Sequence, residues 1–230
     1  MFVMSFVSGA WQATCYLVGA SQLAGGRNEC VVVDPGMDAA AMVRTLADEH
    51  DCVPVAVLAT HGHADHIADA AEVADGYNIP LWVRAADRPM LTDPAAGLSS
   101  DAAELVARLY PDGLREPARV ELLDGHDTLH LAGLDFQVTP APGHTPGCAL
   151  FTTADDDGQP LVFTGDVLFA GSIGRTDMPG GDPATMRATL AGPVLALPDE
   201  AVILPGHGPH TSMRRERAAN PYLQPDFLRN

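Results

Sequence analysis

The sequence contains no lysine; all 13 of its basic residues are arginine. That absence excludes Schiff-base chemistry and the phosphate-gripping lysine of a P-loop. Aromatic residues make up only 6% and charged residues 19%, against 47% apolar. The core is therefore expected to be aliphatic, and disorder is excluded as the main state. Positive charge is scarce, since 30 acidic residues leave a formal charge of -17. This opposes binding to a phosphate backbone or an anionic membrane, so neither nucleic acid nor membrane is expected as a partner. No apolar run reaches the roughly 18 to 20 residues of a membrane span. Residues 1–19 are apolar but lack the basic start of a signal peptide, and their alternation suits two strands. A cytoplasmic protein is the expectation. Cys15, Cys30, Cys52 and Cys148 are widely spaced with no CxxC pair, and read as small buried hydrophobes in a reducing compartment.

At 230 residues the chain is long enough for one full-sized domain. Strand-like and helix-like runs alternate along it, which predicts an α/β architecture. Strands are expected at 14–18, 29–33, 55–59, 79–83, 119–123, 128–131, 134–139, 148–152, 160–163 and 201–204. Asp34-Pro35-Gly36 is a turn signal, and Asp38 is placed to cap a helix running to about Glu49. Further helices are expected from near Ile67, after Pro183 with an interruption at Gly192-Pro193, and at 213–219. Residues 85–117 leave the strand pattern and form a helical insertion, expected to act as a lid.

Four apolar strands end in side chains that can bind metal. One runs into His61-Gly62-His63-Ala64-Asp65-His66, and the others run into His144, Asp166 and His207. A glycine beside each permits a sharp turn. Imidazole and carboxylate without cysteine suit Zn²⁺ and similar first-row ions in a catalytic rather than a structural site.

These residues resemble the metallo-β-lactamase superfamily, over nearly the whole chain from Thr14 to Pro209. The resemblance implies an αββα sandwich of two packed mixed β-sheets with outer helices and a site for two divalent ions, zinc first, with iron or manganese also fitting. It implies that His61, His63 and His144 hold one metal and Asp65, His66 and His207 the other, with Asp166 bridging. Asp65 and Asp166 would be the catalytic carboxylates. Pro142-Gly143-His144-Thr145-Pro146-Gly147 and Gly171-Ser172-Ile173-Gly174-Arg175-Thr176-Asp177 look most like the short glyoxalase II-type hydrolases. The implied reaction is cleavage of a hydroxyacyl thioester of a small thiol by metal-activated water.

Two departures bear on the thiol. Full-length glyoxalase II has a helical C-terminal domain that helps bind glutathione, whereas 23 residues follow His207 here, and lysine contacts are impossible. Another carrier, such as mycothiol, also fits. An alternative reading is a mononuclear iron persulfide dioxygenase using His61, His144 and Asp166, although Met178-Pro179-Gly180-Gly181-Asp182 is more like the hydrolases. A lactonase or β-lactamase shares the ligand set, and a metal-binding protein without turnover is the remaining reading. Asp34 either supports a site histidine or simply makes its turn; Arg175 either pairs with Asp177 or meets a substrate carboxylate. His50, His126, His130 and His210 read as ordinary surface or core histidines, and Arg214, Arg215 and Arg217 as a solvated helix face.

Overall fold

The computed structural model describes residues 1–20 and 28–229. The first sheet contains β1 (Phe2–Ser8), β2 (Ala13–Gly19), β3 (Asn28–Val33), β4 (Cys52–Leu58), β5 (Leu81–Arg84) and β6 (Val120–Leu123), side by side in that order. β1, β2 and β3 pair antiparallel, and β3 to β6 run parallel. The second sheet adds β7 (Thr128–Leu131), β8 (Leu134–Pro140), β9 (Ala149–Ala154) and β10 (Pro160–Gly165). A short ribbon of β11 (Leu168–Phe169) and β12 (Ser172–Ile173) precedes β13 (Val202–Pro205) and β14 (Thr211–Ser212), and the order across the sheet is β14-β13-β10-β9-β8-β7. Its β10–β13 pair is parallel, so both sheets are mixed, as expected.

Strand periodicity explains the layers. In β2, Cys15 and Leu17 face a helical layer while Tyr16 and Val18 face the other sheet; in β3, Cys30 and Val32 alternate with Val31 and Val33 in the same way. On β9 and β10, Phe151 and Phe163 point to the inter-sheet core, while Leu150 and Val162 point to the outer helices. Strands covered on both faces read as continuous apolar runs, which is why they stand out in the sequence. Burial of each such large side chain contributes about 1.5–3 kcal/mol.

The outer layers are α1 (Ala40–Glu49), α2 (Ala64–Ile67), α3 (Ala70–Tyr77) and α4 (Ser100–Leu109) on one sheet, and α5 (Pro183–Thr189), α6 (Met213–Ala219) and α7 (Pro225–Leu228) by the other. Three expectations are corrected. Asp38 has left-handed backbone (φ 60°) and does not cap α1; the Ala40 amide donates instead to Asp69 Oδ2 at 2.9 Å, from a distant turn. Helix begins at Ala64 rather than near Ile67, so Asp65 and His66 lie inside its first turn. Gly192-Pro193 does not interrupt the helix after Pro183. The missing proline N–H is absorbed by a wider turn, in which Leu195 N donates to Leu190 O at 3.1 Å. No helix among the described residues is long and apolar enough to cross a membrane.

Candidate metal centre

β4, β8, β10 and β13 deliver their following loops to one edge of the sandwich. The loops are tied to each other there: Gly206 N donates to Gly165 O and Thr14 N to Gly206 O, both at 2.8 Å, and Ala149 N donates to Thr60 O at 2.9 Å. The buried Tyr16 hydroxyl donates to Pro205 O at 2.7 Å, fixing the chain just before His207. Gly206 is required by close approach, since a β-carbon there would fall against Asp166 Oδ1 and the His66 ring.

The structure brings all seven sequence-predicted ligands together. One ligand atom each from His61, His63 and His144 lies within 4.8 Å of the others, and the same holds for Asp65, His66 and His207. Asp166 faces both groups, with Oδ1 at 3.4 Å from His66 Nε2 and Oδ2 at 3.5 Å from His144 Nε2 and 3.6 Å from His207 Nε2.

Hydrogen bonding decides which nitrogen each histidine turns inward. Carbonyls only accept, so His63 Nε2–H donates to Gly97 O (2.8 Å), His144 Nδ1–H to Arg175 O (2.7 Å) and His207 Nδ1–H to Gln12 O (3.2 Å). His66 Nδ1–H donates to the Asp34 carboxylate at 2.9 Å. The single Thr60 hydroxyl proton also goes to Asp34, at 2.6 Å, so the Thr60 oxygen accepts from His61 Nδ1 at 3.1 Å. In the neutral ring, the other nitrogen of each of the five is then the lone pair, and it faces the centre. His63 Nδ1 and His144 Nε2 meet at 2.9 Å, and His61 Nε2 and Asp166 Oδ1 are buried with no hydrogen-bond partner. Converging lone pairs and an orphaned carboxylate oxygen fit a pair of divalent cations, with the outward contacts orienting the ligands.

The titration behaviour follows from this crowding. Burial, with the neighbouring rings, pushes His61 well below the ordinary imidazole range and His63 down to about 4. Burial also opposes charge on His66, but Asp65 and Asp166 outweigh it and hold that ring above its usual range. Asp166 is held low despite its burial because His66 lies beside it.

A cavity of about 420 Å³ opens beside these ligands, walled by Trp11, Leu98, Phe169 and Met178 with Ser99 and Arg175. The 85–117 segment lies over this metal edge: it supplies Leu98 and Ser99 to the wall and the Gly97 carbonyl to His63. Asp34 makes its turn in left-handed backbone (φ 53°) and also holds Thr60 and His66. Arg175 pairs through its side chain with Asp177, at 2.6 and 2.8 Å. Of the remaining histidines, His130 is exposed beside Asp135, His210 stacks on Tyr16 at 5.8 Å, and His50 and His126 are exposed. Arg217 departs from the solvated-face reading: it bonds Asp199 at 2.9 Å and the carbonyls of Leu195 and Leu197.

Sequence reasoning missed Asp87. This fully buried carboxylate accepts from Gly62 N (2.9 Å), Thr145 Oγ1 (2.6 Å) and Gly147 N (2.6 Å), clamping the His61–His63 loop to the His144 loop. Its one sequence signal was position, just past the C-terminal end of β5 on the edge where the other ligands emerge. Glu216 was missed too; it is buried and holds the Gly171 amide at 2.7 Å, fixing the ribbon before Arg175.

The sequence matches the Metallo-beta-lactamase superfamily over residues 8–207. It is 39% identical over 227 residues to an uncharacterized protein of Mycobacterium tuberculosis, covering 97% of this chain and 98% of that one. The hydroxyacylglutathione hydrolase GloC of Haemophilus influenzae is 31% identical over 93% of this chain and 94% of its own. Among solved structures, the BLEG-1 B3 metallo-beta-lactamase superposes with a TM-score of 0.81 at 33% identity, over 97% of this chain and all of that one. TTHA1623 in a di-iron-bound form superposes with a TM-score of 0.75 at 33% identity, over 96% of this chain and all of that one. With its two ligand sets on the edge of a two-sheet sandwich, the chain belongs to the metallo-β-lactamase superfamily, as a metallo-hydrolase of that fold.

Proposed function

We propose that the protein hydrolyses hydroxyacyl thioesters of a small thiol. The observation that carries this reading is the complete double ligand set sharing Asp166. A mononuclear dioxygenase would use only His61, His144 and Asp166, leaving Asp65, His66 and His207 convergent without a task. The similarity to GloC along nearly the whole chain supports a thioester substrate, and because the BLEG-1 B3 metallo-beta-lactamase is as similar, the test below sets a β-lactam and a lactone beside it.

His61, His63 and His144 would hold one ion, Asp65, His66 and His207 the second, and Asp166 both. A divalent pair, zinc first, supplies Lewis acidity and lowers the pKa of water toward 7. The protein's own groups do the rest. Asp34, Gly97, Arg175 and Gln12 accept hydrogen bonds from the outward ring N–H of four of the five histidines and so fix the tautomer whose inner nitrogen is the one offered to a metal. Trp11, Leu98, Phe169 and Met178 give the substrate side an apolar wall, and a bound substrate would displace water from it, which strengthens electrostatic stabilisation of a developing oxyanion. A thiolate is a good leaving group, so no dedicated acid is required.

The test compares the unmutated protein and His207→Ala, each with its metal content measured, on a lactoyl thioester, a β-lactam, a lactone and a persulfide with oxygen uptake. The expected result is thioester hydrolysis with two ions per chain, and loss of one ion and about a thousandfold of rate in the variant. Oxygen uptake with one iron per chain, untouched by His207→Ala, would overturn the reading; so would β-lactam or lactone turnover without thioester hydrolysis.

A further inference from the structure

Apart from the two divalent ions that its ligand sets would hold, the cavity has almost no positive charge with which to hold an anionic substrate. Among the described residues that line it, Arg175 is the one permanent cation. Its Nε donates to Asp177 Oδ1 at 2.6 Å and its Nη2 to Asp177 Oδ2 at 2.8 Å. This is the two-pronged geometry by which a guanidinium would otherwise grip a substrate carboxylate. An exposed ion pair is individually weak, but these partners lie two residues apart on one loop, so Asp177 competes at high local concentration. The rest of the wall is apolar, at Trp11, Leu98, Phe169 and Met178, apart from the metal ligands, a glycine, an alanine and the Ser99 hydroxyl. Away from those ions the surrounding field repels anions, since the polypeptide carries a formal charge of -17.

Resting on the thioesterase reading, we infer that the thiol carrier is uncharged beyond its sulfur, and that the Arg175–Asp177 pair sets this preference by keeping the Arg175 guanidinium occupied. Carriers bearing a carboxylate must displace Asp177 and approach against the protein's own field. A neutral carrier rich in hydroxyl or amide groups meets neither cost.

The test uses a minimal pair of lactoyl thioesters, of N-acetylcysteamine and of N-acetylcysteine, which differ by one carboxylate, together with the glutathione thioester. The neutral thioester is expected to have at least fivefold higher kcat/KM than either anionic one. Raising ionic strength from about 20 to 300 mM should narrow that ratio by screening repulsion. Asp177→Asn frees Arg175 and is expected to shift the ratio at least threefold toward the carboxylate-bearing substrates, whereas Arg175→Gln should shift it less than threefold. A preference below fivefold, a carboxylate substrate whose rate falls with salt, or Arg175→Gln selectively crippling the anionic substrates would overturn the inference alone. If no thioester is hydrolysed, the thioesterase reading fails and this inference falls with it.

Discussion

Replacing Asp87 with asparagine isolates the clamp between the two loops that carry the first ligand set. The wild-type carboxylate accepts from Gly62 N and Thr145 Oγ1 on one oxygen and from Gly147 N on the other. Asparagine has the same shape but one acceptor oxygen. With that oxygen toward Gly62 and Thr145, its NH₂ faces the Gly147 amide and leaves a buried donor unpaired, at a cost of about 1–3 kcal/mol. The two surviving bonds lose their charge assistance, about 1 kcal/mol each. Burial holds the Asp87 pKa above its ordinary value, so removing the charge recovers part of this cost. The balance is a loss of about 2 kcal/mol, which lowers Tm by about 4–8 °C for a domain of this size. Gly62 lies between His61 and His63, and Gly147 lies just beyond His144, so the slack falls on the first metal. Its affinity should drop about 10- to 100-fold. Thermal unfolding of the metal-free protein and a cobalt titration followed by visible absorption measure the two effects separately. A Tm within 1 °C of wild type together with cobalt affinity within threefold would refute the clamp. Asp87→Ala strands all three donors, about 3–9 kcal/mol, comparable with the whole stability of about 5–15 kcal/mol, and is expected not to accumulate as folded protein.

Asp166→Ala removes the carboxylate that faces both ligand sets; elemental analysis should find fewer than two ions per chain and thioester turnover should fall about a thousandfold or more, and two retained ions with normal turnover would contradict the bridging role. Asp34→Asn takes the charged acceptor from His66 Nδ1–H directly and from His61 only through the Thr60 hydroxyl, so a cobalt titration should show the second affinity weakened about 10- to 100-fold and the first weakened less. Acidification should release the ions in order. His66 and His207 are held above the usual imidazole range, so protons compete for the second set first, while His61 and His63 are held below it and keep their ion to lower pH. Simultaneous loss of both ions across a pH series would refute that order. Deleting residues 85–117 is no clean test of a lid, because it also removes Asp87 and the buried Leu91, Leu98 and Val106.

The sequence by itself determined the strand layers and the ligand identities. Strands such as β2, β3 and β10 are covered on both faces, so their apolar runs are continuous and local, and His61, His63, Asp65, His66, His144, Asp166 and His207 follow strand ends at short, legible spacings. Tertiary structure decided what depends on contacts between distant segments. Asp69 caps α1 from 29 residues away, and Asp87 joins loops 25 and 58 residues from itself. Nothing next to either residue in the chain marks it, because the amides they accept from are assembled only by the fold. The same holds for the inward nitrogen of each histidine. Imidazole offers two, and the choice was made by Gly97, Arg175, Gln12, Asp34 and Thr60, acceptors that, Thr60 apart, lie 31 to 195 residues from their rings and reach them only in the folded chain.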